Sequence, residues 1–98
     1  MNDSLRSEII LSVNRALVGE VFPELVAVSC HVVAERQFAL TFFVESEPSG
    51  PIIEDISCIE TEIIADFPSD FEITHEIKVS GHVKLEVNGF WIFLRKPN

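Results

Sequence analysis

PIIEDISCIETEIIADFP, from Pro51 to Pro68, reads as one helix of about four turns. At about 100° per residue, Ile52, Ile56, Ile59 and Ile63 fall on a single stripe, with Ile53, Ile64 and Phe67 widening it on one flank. Asp55, Glu62 and Asp66 form a ridge on the other flank. Pro51 suits the first helical position, where its missing N–H costs nothing, and Pro68 pushes Phe67 out of helical geometry. β-Branched isoleucine has mediocre helix propensity, so this helix holds only by burying its stripe against a sheet. Strands are therefore required on either side of it.

Upstream, Leu5, Ile9, Val13, Ala16 and Leu17 recur at helical spacing after Ser4, a suitable N-cap, and Gly19 sits where that helix would stop. Glu20–Glu24 contains Pro23 and reads as a connector. LVAVSCHVV, Leu25–Val33, is almost continuously apolar, which predicts a strand covered on both faces. Glu35 and Arg36 interrupt it. Phe38, Leu40, Phe42 and Val44 then alternate with Ala39, Thr41 and Phe43, giving a second strand and a hairpin. ESEPSG, Glu45–Gly50, is a loop by its Pro, Gly and Ser content.

Downstream, Phe71, Ile73, His75, Ile77 and Val79 alternate with Glu72, Thr74, Glu76 and Lys78, the pattern of a half-exposed strand. Ser80–Gly89, with Gly81 and the Asn88-Gly89 pair, reads as a turn or irregular return, and FWIFLRK from Phe90 closes the sheet as the last strand of a second hairpin. The order αββαββ predicts a single α+β domain over residues 1–98: a two-layer sandwich of a four-stranded, mainly antiparallel sheet with two helices on one face. How the two hairpins join across the sheet is open to Greek-key and ferredoxin-like solutions.

With 98 residues, 47% of them hydrophobic, the chain can build one core without metal or disulfide staples. No run approaches a membrane span, and the N-terminal apolar run is too short for a signal peptide, so a cytoplasmic protein is expected. Cys30 and Cys58 lack C-x-x-C spacing and are expected to be reduced thiols. Cys30 and His31 are strand neighbours pointing to opposite faces, which excludes a dyad. His75 lies on the apolar parity of its strand and reads as a core or sheet-edge histidine with a hydrogen-bond partner. No histidine or carboxylate spacing indicates a metal site, and the scattered glycines form no phosphate-cradling loop. Neither an enzyme nor a cofactor is expected.

Charge is the feature that points to function. Between Arg36 and Lys78 ten carboxylates stand with no Lys or Arg, while the rest of the chain carries six acids against seven bases. The ordinary reading of such a run is a solvated surface. Surfaces built only for solubility nevertheless intersperse both signs, and here like charges go unrelieved along one helix and its flanks. The acidity disfavours nucleic acid and membrane surfaces as partners and favours a basic protein. Glu54, Asp55, Glu62, Asp66, Asp70, Glu72 and Glu76 are the candidate partner-binding residues.

RALVGEVFPEL (Arg15–Leu25), TEIIADFP (Thr61–Pro68) and GFWIFLRK (Gly89–Lys96) resemble the recurring blocks of small acidic bacterial immunity proteins of polymorphic toxin systems, including contact-dependent growth inhibition. The resemblance implies a non-enzymatic protein that binds a cognate toxin domain, often a nuclease, in the cytoplasm of the producing cell. It brings no binding residue with it. The acidic surface then implies occlusion of a basic active site. A small adaptor or homodimer-forming domain with a non-toxin partner, or a small-molecule-binding protein, is the alternative on sequence alone.

Overall fold

The structure, a computed structural model, describes residues 3–19, 22–79 and 89–95. The elements run α1 (Asp3–Leu17), β1 (Leu25–Ala34), β2 (Gln37–Val44), α2 (Gly50–Ala65), β3 (Glu72–Val79) and β4 (Gly89–Leu94), in the expected αββαββ order. Ser4 falls inside α1 rather than capping it. Ser80–Asn88 of the expected return, Glu20 and Val21 of the connector and Lys96 of the last block lie outside the described residues.

A strand apolar on both faces belongs in the middle of a sheet, and β1 lies between β2 and β4 in the order β3-β2-β1-β4. The β1–β2 hairpin is antiparallel, with Val28 opposite Phe42 and Cys30 opposite Leu40. β4 is also antiparallel to β1, with Phe90 opposite Cys30 and a register shift between Val28 and Ser29.

The expected second hairpin does not form. β3 pairs parallel with β2, setting Phe38 opposite Ile73, Leu40 opposite His75 and Phe42 opposite Ile77, and β4 occupies the far edge. The cause is α2: a helix that packs back on the sheet returns the chain to the end from which β2 started, so the next strand runs parallel to it. Two of the three strand pairings remain antiparallel, so the sheet is mixed but mainly antiparallel.

Both helices bury their apolar stripes on one face of this sheet. Ile9 and Val13 of α1 and Ile56, Ile59 and Ile63 of α2 are fully buried in a single cluster with Val28, Phe38, Leu40 and Phe42. Each such side chain contributes about 1.5–3 kcal/mol by leaving water. On the opposite face Thr41 and Phe43 are also buried, Phe43 lying 5.9 Å from the Trp91 ring.

The ends of α2 are held by local chemistry. Ser49 is its N-cap, accepting a 3.4 Å hydrogen bond from the Ile52 N–H, and Pro51 occupies the first turn. Asp66 is the C-cap, and the chain then leaves through Phe67, whose ring packs edge-on against Phe38 and tilted against Phe71.

Candidate functional site

Helical periodicity sets the acids of α2 on two surfaces. Asp55, Glu62 and Asp66 line the flank that meets α1, where Glu62 and Asp66 join Arg15, Ala16 and Ala65 around a groove of about 310 Å³. Glu54 points away from the core and is exposed, as is Glu62, while Asp55 is half-buried. The remaining three candidates lie elsewhere. Asp70 is in the turn before β3, and Glu72 and Glu76 project from the sheet face opposite the helices, because Ile73, His75 and Ile77 take the helix side. Two clusters therefore stand where the sequence offers one list.

The acidic window is not free of cations in space. Ser12 Oγ donates a 2.6 Å hydrogen bond to Asp66 Oδ2, and an Arg15 guanidinium nitrogen lies 4.0 Å from the same oxygen. A carboxylate at a helix C-terminus faces the negative end of the helix dipole, and these two α1 residues offset that. Arg36, in the β1–β2 turn, pairs with Asp70, and Lys78 lies 3.5 Å from Glu76. Arg95 reaches Glu45 at 2.9 Å and donates to the Pro23 carbonyl at 3.0 Å. Glu60 is hydrogen-bonded to His75, whose ring stands edge-on to Phe42.

The expectation that no cation offsets this acidity is thereby corrected: Arg15, Arg36 and Arg95 come from outside the window and fold back onto it. Exposed pairs of this kind contribute little stability, about 0–1 kcal/mol each, but they neutralise. Of the seven candidates, Glu54, Asp55, Glu62 and Glu72 are left with no ion pair among the described residues, the first three of them on α2. Nothing local to α2 separates those three from Asp66, because its decisive partners are 51 and 54 positions away.

No group of three or more His, Cys, Asp or Glu among the described residues is placed to hold a metal ion. Cys30 is buried and its thiol is pushed up to about 12 by desolvation, the reverse of an activated nucleophile. No helix of the described residues is long and apolar enough to cross a membrane.

A family model described as MafI2 immunity protein matches residues 6–97, nearly the whole chain. The chain belongs to the MafI2 immunity protein family. MafI2 proteins provide immunity to MafB toxins in polymorphic toxin systems and are typically non-enzymatic. The matched span includes α2, all four strands and nearly all of α1, so the acidic helix belongs to the MafI2 domain itself. No curated protein matches the chain.

Proposed function

We propose that this MafI2 protein neutralises its cognate toxin by binding it through the acidic side of α2 that runs from its exposed back to the flank beside α1, with Glu54, Asp55 and Glu62 as the principal contacts. The toxin surface so covered is basic, as the substrate-binding surface of a nuclease is. A nuclease holds a polyanion, so its binding surface is lined with Lys and Arg, and carboxylates seated there exclude phosphates without any chemistry of their own. The mechanism is occlusion, in the cytoplasm of the cell that makes the toxin.

The observation that carries this reading is the split among the acids. Asp66, Asp70 and Glu76 already have a cation nearby, whereas Glu54, Asp55 and Glu62 on α2, like Glu72 on β3, have none among the described residues. A carboxylate unpaired in the free protein gains most from a partner's guanidinium, since no internal pair has to be given up. Asp70, Glu72 and Glu76 add to the long-range field that steers a basic partner.

Co-expression with the cognate toxin tests the proposal. The triple variant Glu54→Gln, Asp55→Asn, Glu62→Gln keeps shape and removes three charges. It is expected to remain folded by circular dichroism and to fail to protect growth. Full protection by that variant would overturn the assignment of these residues.

A further inference from the structure

The edge of the sheet formed by β3 carries a second surface, unrelated to the α2 acids that face outward or toward α1. Among the described residues β3 pairs only with β2. The Glu72 N–H is directed at β2, donating to the Arg36 carbonyl at 2.8 Å. Alternation along the strand then turns the N–H and C=O of Ile73, His75 and Ile77 to the open edge. Their side chains lie on the helix side, half-buried, and on the adjoining flank of α2 Ile53 and Ile64 are each 46% exposed on either side of Glu60, which binds His75. An apolar stripe thus runs beside a strand edge that no described residue pairs with, an arrangement that invites pairing with another chain.

We propose that this edge pairs antiparallel with the β3 edge of a second copy of the chain, about a two-fold axis at His75. The charges of the other face select this partner and this register. With His75 opposite His75 of the partner subunit, Glu72 falls opposite Lys78 of the partner subunit, and the symmetry makes that contact twice. Ile73 faces Ile77 of the partner subunit, and Thr74 faces Glu76 of the partner subunit. Sliding by two residues either way sets a carboxylate opposite a carboxylate, Glu72 on Glu76 in one direction and Glu76 on itself in the other. The edge groups of Ile73, His75 and Ile77 all find partners in the chosen register, and the two sheets become one of eight strands. Glu54, Asp55 and Glu62 lie away from this edge and stay open to a toxin.

Analytical ultracentrifugation from about 1 to 100 µM, a range suited to a modest edge-to-edge interface, should show a species of twice the 11.0 kDa chain mass. Glu72→Lys and Lys78→Glu should each weaken the dimer about tenfold or more, since each replaces two opposite-charge contacts by two like-charge ones. The double variant Glu72→Lys, Lys78→Glu should recover it. Mixing the two single variants should give a heterodimer stronger than either homodimer, because each like-charge pair again meets its opposite. A wild-type chain that stays monomeric throughout, or single variants that dimerise unchanged, would overturn the proposal. So would a monomer whose β3 amides become protected from hydrogen exchange only when toxin is added, which would give the edge to a toxin strand instead. The oligomeric state is read without toxin, so failure here leaves the α2 reading untouched.

Discussion

Ser12, a buried residue of α1, donates its hydroxyl to the Asp66 carboxylate at the C-cap of α2, at 2.6 Å, and so ties the middle of one helix to the end of the other. Asp66 is therefore a structural acid as well as a member of the ridge. Asp66→Ala leaves a buried hydroxyl without its acceptor and removes the charge beside Arg15, and should cost about 1–3 kcal/mol in urea unfolding. Asp66→Asn, which keeps an acceptor oxygen, should cost less. Relieved repulsion would instead make both variants more stable than the parent.

The Ile stripe gives a sharper contrast within one helix. Ile59 is fully buried under α2, while Glu54 is exposed on its far side. Ile59→Ala should lower unfolding stability by about 2–5 kcal/mol through the cavity it leaves, and Glu54→Ala should change it by less than about 0.5 kcal/mol. Denaturant midpoints of the two variants, at an unchanged slope, provide the comparison.

Cysteine reactivity reports the same orientation without mutation. Cys58 is exposed on α2, whereas Cys30 is buried in the central strand with its thiol pushed up to about 12 by desolvation. Native protein treated with a thiol reagent near neutral pH should be labelled rapidly at Cys58, with Cys30 labelled only as the fold opens. Peptide mapping of the singly labelled product identifies the site. Equal labelling of both would mean that β1 is not the covered strand.

How much of this was legible in the sequence varies from element to element. α2 was readable because two prolines mark its ends and its isoleucines keep one period, although Ser49, its actual cap, sits in the loop ESEPSG and looked like loop material. The alternation assigns faces correctly from Glu72 to Ile77, with Ile73 and Ile77 inward and Glu72 and Glu76 outward, and fails at the end of the strand, where Val79 is exposed. Alternation says nothing about neighbours, however, and two consecutive strands suggest a hairpin, whereas α2 commits β3 to a parallel place beside β2. The acidic window suffered from the same one-dimensional view. Arg15, Arg36 and Arg95 are remote in sequence and adjacent in space, so only the fold separates Asp66 and Asp70 from Glu54 and Glu62.

The central claim is that unpaired carboxylates on α2 capture a basic toxin surface, and the association rate tests it most directly. Stopped-flow binding of the wild-type chain to the isolated cognate toxin domain should slow by about tenfold or more as salt rises from low to physiological ionic strength, while dissociation changes by less than about twofold. The triple variant Glu54→Gln, Asp55→Asn, Glu62→Gln should associate slowly even at low salt and show a flatter salt dependence. Association that ignores salt and is untouched by the three substitutions would contradict the account.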